Sequence, residues 1–301
     1  MPAGAVVHGR TVPVDRLGEL TDSMQLLDHP EQLRARFDRD GYAFFRGALD
    51  ADIVRAARTE VLSRLEAVDE IEPGSDGVST GRSQRDAHHP DRGEFWQSVS
   101  TGDKLRALSH GTAIRCVLEA IVGEPVVPFD YLMLRVAIQG RATEVHYDYP
   151  FFTRIHDQVR TVWIPIGDVP IDEGPVFVVE GSHQFRDVID PMIGFDVASE
   201  STRTAAFDRT AIELADERGT RLLTTDFTAG DALVFGMYTA HGSLDHHDET
   251  GRVRVSCDAR WQAEALEVDA RYMGDHPAGT TGDGYAELNG AKPLTEQWHV
   301  R

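Results

Sequence analysis

The spacing of apolar positions changes along the chain, and the first third has the spacing of helices. The segment DHPEQLRARFDRDGYAFFRGALDADIVRAARTEVLSRLEAV predicts a short helix, a strand over GYAFFRG, and a longer helix that begins after Asp50. Asp is a favoured N-cap because its carboxylate accepts a hydrogen bond from an unpaired backbone N–H. The longer helix has an apolar stripe for burial, formed by Ile53, Val54, Ala57, Val61, Leu62 and Leu65.

Residues 69–104 have no sustained apolar period and are rich in Gly, Asp, Ser and His. This composition predicts a long loop. Long loops in compact domains often cover a functional site, so we expect a lid here. A further helix is predicted over KLRALSHGTAIRCVLEAIVG, with its end at Gly123.

From residue 124 onwards the pattern is that of short strands. Apolar runs broken by Gly, Pro and Asp follow one another: VVPFDYLMLRVAI, VRTVWIPIGDV, GPVFVVEGSH, RLLTTDF, GDALVFGMY and RVRVSCDARWQ. Such a series favours an antiparallel sandwich or jelly-roll barrel over a parallel sheet. Only residues 185–220 leave room for an inserted helix or loop.

We therefore expect a single domain, mainly β with α, in three parts. Residues 30–123 form helical support and the lid loop, residues 124–262 form the β-barrel core, and residues 263–301 form a C-terminal extension. The extension is Gly-rich and has no strong helical pattern. It could pack on the barrel, cover the site or contact a second subunit, and simple packing is the favoured interpretation.

Composition and charge narrow the function. The chain has 301 residues, 41% of them hydrophobic, and a formal net charge of −20. A negative field of this size repels phosphate backbones and anionic lipids, so neither nucleic acid nor a membrane is an expected partner. Two cysteines, Cys116 and Cys257, are too few for a disulfide scaffold. No apolar stretch has the pattern of a secretory signal or a membrane span, and we expect a cytoplasmic protein.

Candidate chemistry begins at EVHYDYPFFTR, residues 144–154, where His146 and Asp148 are two residues apart. In an extended segment, side chains at i and i+2 point to one face, so the pair offers an imidazole and a carboxylate side by side. The pair alone is weak evidence, because a strand end or an Asp bonded to a turn also produces it.

A third candidate ligand, His241, follows the apolar run ALVFGMYTA and is expected at a strand end at the barrel mouth. Two histidines and one carboxylate form the facial triad of non-haem Fe(II) oxygenases, which leaves coordination positions open. His246 and His247 compete for this role. The polar run LDHHDETG predicts an exposed turn, so we interpret these two as solvated side chains.

The segment RVRVSCDARW alternates in polarity. One face carries Arg252, Arg254, Ser256, Asp258 and Arg260, and the other carries Val253, Val255, Cys257, Ala259 and Trp261. The polar face meets either bulk water or a polar pocket. In a pocket, an arginine offers a two-pronged donor to the far carboxylate of a dicarboxylic keto acid whose other end chelates iron.

In these motifs the chain resembles the phytanoyl-CoA dioxygenase family of Fe(II)- and 2-oxoglutarate-dependent oxygenases. The resemblance extends from FDRDGYAFFRGAL through HYD, TVWIPIGDVPIDEGPVFVVEGSHQF and GDALVFGMYTAHGS to RVRVSC. It implies a double-stranded β-helix, which is a jelly-roll, cupin-like barrel, with N-terminal helices packed on one sheet. It also implies iron bound by His146, Asp148 and His241.

For the cosubstrate, the resemblance implies that the arginine eleven residues after the distal histidine, Arg252, pairs with the far carboxylate of 2-oxoglutarate. Arg254 shares its face and is the alternative if the register differs by one pair. The resemblance also implies Ser243 and Trp163 near the cosubstrate. The competing interpretations are a turn hydroxyl for Ser243 and a core aromatic for Trp163.

The favoured function is hydroxylation of a small-molecule substrate with O2 and 2-oxoglutarate, releasing succinate and CO2. The alternatives are a cupin-like isomerase or hydrolase that does not use 2-oxoglutarate, and a non-catalytic binding module. In halogenating relatives a Gly or Ala replaces the carboxylate ligand, so Asp148 disfavours halogenation, whereas desaturation, cyclisation and epimerisation stay open. The substrate itself, and the choice between monomer and homo-oligomer, are left open. Candidate substrate contacts are Tyr147, Tyr149, Phe151, Phe152, Arg154, Arg135, His88, His89 and Trp96.

Overall fold

The computed structural model describes residues 4–200, 202–205 and 207–296. The α-helices are α1 (Pro30–Asp40), α2 (Ala51–Glu66), α3 (Arg85–His88), α4 (Arg92–Ser100), α5 (Asp103–Ser109), α6 (Thr112–Val122), α7 (Tyr149–Phe152), α8 (Arg186–Ile189) and α9 (Ala211–Arg218). The strands are β1 (Val6–Val7), β2 (Arg10–Thr11), β3 (Leu17–Glu19), β4 (Tyr42–Phe45), β5 (Val126–Pro128), β6 (Met133–Ala137), β7 (Arg160–Pro165), β8 (Val176–Val179), β9 (Leu222–Thr224), β10 (Ala232–Gly236), β11 (His241–Ser243) and β12 (Arg254–Ala263). None of the described helices is long and apolar enough to cross a membrane.

The strands form two main sheets. The larger has the order β4-β10-β7-β12-β5, with β6 also beside β12, and the smaller has the order β11-β8-β9-β3. Neighbouring strands run antiparallel, except that β3 and β9 are parallel. Within the described ranges the sheets face each other without closing into a continuous barrel. β12, at 10 residues, is the longest strand and lies inside the larger sheet.

An apolar cluster between the two sheets holds them together. It joins Phe44, Trp163 and Phe235 of the larger sheet to Val178 and Leu223 of the smaller one. Burial of aromatic and branched side chains from both inner faces is what stabilises a two-sheet architecture.

β12 serves both layers of the domain through its alternation. Val255, Cys257 and Trp261 point towards the helices and lie in the larger apolar cluster. Arg254 and Arg260, on the other face, are only 2% and 1% exposed. The interpretation in which the polar face meets bulk water is therefore wrong. That face lines the space between the two sheets.

The first long helix is largely as predicted. Asp50 caps α2, since its carboxylate accepts a hydrogen bond from the backbone N–H of Asp52, and Val54 and Ala57 are buried. Ile53 is 43% exposed, so its place in the buried stripe is wrong.

The loop predicted over residues 69–104 is wrong in its second half, which contains α3, α4 and the start of α5. The carboxylate of Asp91 caps α4 by accepting from the N–H of Glu94. Trp96, on α4, is fully buried. The polar composition of this segment concealed one buried helical face.

The single helix predicted up to Gly123 is two helices, α5 and α6, separated at Gly111. A Cβ at Gly111 would lie 2.2 Å from the carbonyl oxygen of Ala107, so the backbone approaches too closely there for any other residue. α6 does end at Gly123, which adopts the left-handed conformation with φ 89°.

The C-terminal extension packs against the helical layer. Tyr272 is fully buried. Arg85, also fully buried, donates from Nη1 to the carbonyl oxygens of residues 290–292 and pairs through Nη2 with Glu70 at 2.5 Å. The described part of the C-terminal extension thus contributes to the buried core, which supports the interpretation that this segment packs on the rest of the fold.

Candidate metal centre

The three predicted ligands come together at one end of the space between the sheets. His146, Asp148 and His241 each offer a ligand atom, and these atoms all lie within 4.8 Å of one another. His146 and His241 exchange two backbone hydrogen bonds, both N–O distances being 3.0 Å. Their separation is thus set by the backbone, and their rings lie 4.4 Å apart.

Each imidazole is oriented by a carbonyl oxygen. Nδ1 of His146 lies 2.8 Å from the oxygen of Glu144, and Nδ1 of His241 lies 2.9 Å from the oxygen of Thr239. Because a carbonyl only accepts, each Nδ1 is the donor, and in a neutral imidazole this tautomer leaves the lone pair of Nε2 free. Burial, and then the charge of His146, lower the pKa of His241 to about 4. The low pKa favours the neutral form of His241 at pH 7. The carbonyl contacts favour, in both rings, the tautomer whose Nε2 can bind a metal.

The carboxylate of Asp148 has one oxygen on each side of the site. Oδ1 lies 3.7 Å from Nε2 of His146 and 3.8 Å from Nε2 of His241. Oδ2 accepts from the hydroxyl of Thr161 at 2.5 Å and from Nη2 of Arg260 at 3.0 Å. Burial alone would raise the pKa of Asp148, but the charge of Arg260 and the two histidines hold this pKa well below its usual value. The group is therefore a carboxylate.

Local structure at the ligand pair differs from the extended segment predicted. Asp148 has helical backbone angles, φ −72° and ψ −18°, and immediately precedes α7. His146 makes only an isolated bridge with His241. The two side chains converge because the chain turns after the bridge, so the explanation from strand alternation is wrong.

The two candidate arginines have different surroundings. Arg252 is bonded to Glu173, to Asp76 at 3.1 Å and to the carbonyl of Asp168 at 3.1 Å. Arg254 is fully enclosed; Nη1 donates to Ser256 at 3.2 Å, and Nε and Nη2 have no hydrogen-bond partner in the described residues. A buried guanidinium with unused donors is arranged for an anion, and Arg252 is already committed to protein partners.

Ser243 and Trp163 also border the space between the sheets. Ser243 lies on β11, and its hydroxyl oxygen accepts from the N–H of Thr143 at 2.7 Å. Trp163 is the register partner of Asp258 on β12, and its ring lies 4.7 Å from that of Phe227. The backbone contact of Ser243 and the apolar packing of Trp163 are the roles given by the competing interpretations, while their positions leave a cosubstrate contact as a prediction.

His246 is not the solvated side chain that the polar run predicted. It is 1% exposed, and its Nε2 donates to the carbonyl of Arg252 at 2.8 Å. It thus supports the start of β12.

One of the candidate substrate contacts lies beside the metal centre, and another reaches the polar face of β12. The ring of Phe151 lies 6.2 Å from that of His146 in an edge-on arrangement. Arg135, on β6, donates from Nε to Asp258 at 2.7 Å, on the polar face of β12. By contrast, His88 and His89 are exposed, and Trp96 is buried in the helical layer.

Sequence reasoning missed Thr161 and assigned no task to Arg260. The signal for Arg260 was present, since it shares the polar face of β12. Thr161 gave no comparable signal, because a single hydroxyl in an apolar strand is common.

The donor set fits an iron ion and a dicarboxylic keto acid. Among the His, Cys, Asp and Glu side chains of the described residues, two imidazole nitrogens and one carboxylate oxygen form the candidate ligand set, which is the pattern of non-haem Fe(II) sites. The unpartnered Nε and Nη2 of Arg254 are donors of the kind that a carboxylate accepts from.

Comparisons with known proteins agree with this geometry. The family model for phytanoyl-CoA dioxygenase matches residues 37–253. The 1-deoxypentalenic acid 11-beta-hydroxylases of Streptomyces exfoliatus and Streptomyces arenae are 29% and 27% identical to this chain over 263 residues, covering 82% of this chain and 86% of each relative.

Solved structures share the fold. The epimerase SnoN, in complex with Fe3+, alpha ketoglutarate and nogalamycin RO, matches with a TM-score of 0.54 and 23% identity, covering 82% of this chain and 87% of SnoN. The carbocyclase SnoK, also from nogalamycin biosynthesis, matches with a TM-score of 0.54 and 19% identity, covering 93% of this chain and 98% of SnoK. These likenesses confirm the predicted jelly-roll architecture.

Proposed function

Because this chain belongs to the phytanoyl-CoA dioxygenase family of non-haem iron, 2-oxoglutarate-dependent oxygenases, we propose that it hydroxylates a small organic molecule with release of succinate and CO2. The observation that carries the proposal is the presence of two candidate anchors among the buried residues. The histidine–carboxylate cluster is one, and the unpartnered guanidinium of Arg254 is the other. A metal site alone does not require the second anchor.

The protein's own side chains bind and orient in this scheme. Nε2 of His146, Oδ1 of Asp148 and Nε2 of His241 hold the ion. Arg254, rather than Arg252, pairs with the far carboxylate of 2-oxoglutarate and so fixes the direction from which its keto acid end reaches the ion. Bound Fe(II) and 2-oxoglutarate supply the activation of O2 through oxidative decarboxylation of the keto acid.

Enclosure of the site supports the same reaction class. His146, Asp148 and His241 are 6%, 1% and 7% exposed, so the site is largely shielded from solvent. A site that excludes water strengthens the electrostatic interactions inside it and limits side reactions with solvent. Ser243 and Trp163 are proposed to line the cosubstrate end of this space.

An organic acid is the substrate class that we propose. One relative is named for hydroxylation of 1-deoxypentalenic acid. In this chain, the one hydrogen bond of Arg135 within the described residues runs from Nε to Asp258, which leaves its Nη groups for a carboxylate at the pocket wall.

Anaerobic addition of Fe(II) and 2-oxoglutarate tests the proposal. We expect a weak visible charge-transfer band from keto acid bound to ferrous iron, and substrate-stimulated succinate release in a screen of small organic acids. A metal-loaded protein that gives no band and binds no 2-oxoglutarate by calorimetry would instead indicate a cupin-like enzyme of another reaction type.

A further inference from the structure

The metal-binding carboxylate is held by its outer oxygen. Oδ2 of Asp148 accepts two hydrogen bonds, from Thr161 at 2.5 Å and from Arg260 at 3.0 Å, while Oδ1 faces the two imidazoles. Two donors occupy the lone pairs of Oδ2. The inner and outer oxygens of this ligand are therefore not equivalent.

The two donors belong to a rigid part of the fold. Thr161 on β7 and Arg260 on β12 are direct register partners across the larger sheet. The guanidinium of Arg260 lies 4.2 Å from the ring centre of Phe152, and its Nη1 donates to the carbonyl of Asp258 at 3.3 Å. With Arg260 1% exposed, its position is fixed by packing on one side and by the sheet on the other.

The number of oxygens that Asp148 gives to the ion decides how many positions remain. With one oxygen, a facial triad leaves three open positions in an octahedron. A keto acid bound through two oxygens would fill two of them, and one would remain for O2. If both oxygens of the carboxylate bound the ion, that last position would be lost.

We propose that Arg260 and Thr161 are positioning residues that keep Asp148 a one-oxygen ligand and thereby hold a coordination position open for O2. This inference rests on the proposed iron- and 2-oxoglutarate-dependent function. It assigns a task to the hydrogen bonds around the carboxylate, beyond the identity of the ligands.

A simpler role for Arg260 is to neutralise a buried carboxylate. The two roles differ in their consequences for Thr161, which carries no charge. They also differ in which ligand is affected: loss of charge weakens binding of the 2-oxoglutarate dianion, whereas loss of positioning weakens binding of a ligand at the O2 position.

The test uses the full chain loaded anaerobically with Fe(II), with Arg260→Met, Arg260→Lys and Thr161→Val. Gln262→Met is the matched control: Gln262 lies two residues further along β12 and is 1% exposed, and its hydrogen bonds within the described part of the chain go to carbonyls of residues 263–267. Iron content is measured by metal analysis, and 2-oxoglutarate is titrated through the visible band. Nitric oxide, a stand-in for O2, is then titrated by electron paramagnetic resonance.

We expect both removals to act on nitric oxide. Thr161→Val weakens its binding about tenfold and Arg260→Met by about ten- to a hundredfold, as expected for one neutral donor and one charged donor to a carboxylate. The affinity for 2-oxoglutarate changes by no more than about threefold, which is below the effect of one hydrogen bond. Arg260→Lys, which keeps a donor and the charge, recovers most of the loss, and Gln262→Met matches the unmodified protein.

Nitric oxide binding that is unchanged in Thr161→Val overturns the proposal, even if Arg260→Met fails to fold. An effect of Arg260→Met confined to 2-oxoglutarate affinity also overturns it and assigns the arginine a purely electrostatic role. Absence of the visible band in the unmodified protein is a different failure, because it removes the proposed function before any variant is compared.

Discussion

Replacing Arg254 with Met is expected to make the protein more stable and, at the same time, worse at binding 2-oxoglutarate. Arg254 is buried, and its Nε and Nη2 have no hydrogen-bond partner in the described residues. Its charge therefore destabilises the folded protein when no anion is bound. Methionine fills a similar volume without a charge. Opposite signs for stability and binding distinguish an anion-binding arginine from a structural one.

The magnitudes follow from burial. Loss of solvation lowers the pKa of Arg254 from 12.5 to about 10. At about 1.4 kcal/mol per tenfold change in proton affinity, the buried charge costs the fold roughly 3 kcal/mol. The pKa stays above neutrality, so the cost is present at pH 7 in the cosubstrate-free protein. Met is expected to recover about 1–3 kcal/mol, since altered packing offsets part of the gain.

Binding of 2-oxoglutarate is expected to weaken by about 2–5 kcal/mol, because its far carboxylate would enter the pocket without its charged partner. That corresponds to a loss of about thirtyfold or more in affinity. The assays are urea unfolding of the metal-free protein and anaerobic titration of the visible band.

Arg252→Met is the matched comparison, because Arg252 lies on the same sequence face but is paired with Glu173 and Asp76. It is expected to lose about 1–3 kcal/mol of stability, because Glu173 is left partly buried without its partner. It should bind 2-oxoglutarate normally. The reverse result, with Arg252→Met defective in binding and Arg254→Met normal, would refute the reasoning and restore the position implied by counting from the distal histidine.

Further outcomes are expected for Asp148, His110 and Arg85. Asp148→Gly abolishes turnover because the ion loses an anionic ligand. Under oxygen-18 gas with chloride present, the unmodified protein gives a product with one labelled oxygen. A chlorinated product would contradict the role of Asp148. Burial, and then the charge of Arg106, lower the pKa of His110 to about 4. The unfolded chain therefore takes up the proton first, and the urea midpoint falls as the pH drops from about 6.5 towards 4. His110→Gln flattens part of that pH dependence, and identical slopes in the two proteins would exclude His110 as its source. Arg85→Met leaves the buried Glu70 without its ion-pair partner and lowers the free energy of unfolding, measured in urea, by about 3–5 kcal/mol. Adding Glu70→Leu to this variant restores much of the lost stability. If the losses from the two changes simply add, the pair is not coupled.

The candidate metal ligands could be proposed from the sequence because two histidines and one carboxylate form a specific ligand set. This set of two imidazoles and one carboxylate is typical of non-haem iron sites. The assignment of His146, Asp148 and His241 does not depend on the backbone conformation at Asp148, so it stands although the predicted extended conformation is wrong. The mutual approach of the two histidines depends on a backbone bridge between distant segments, which no local pattern encodes.

The arginine was harder to place because counting residues crosses an irregular loop. Residues 244–253 separate β11 from β12, and the loop decides where β12 begins. Parity along the strand is more informative than distance from the histidine: both arginines share a face, but only Arg254 lies within the strand. The helices in the second half of 69–104 were missed for a related reason, since part of the burial of Arg85 and Trp96 comes from the C-terminal extension, which is distant in the sequence.

The reciprocal backbone bonds between His146 and His241 bear on how the protein responds to iron supply. Because the two ligands are locked in place by the fold, the entropy of bringing them together is incurred during folding and not during metal uptake. In a chain that folds without iron, these two side chains would therefore already lie side by side, and metal uptake would require no rearrangement of the two segments that carry them.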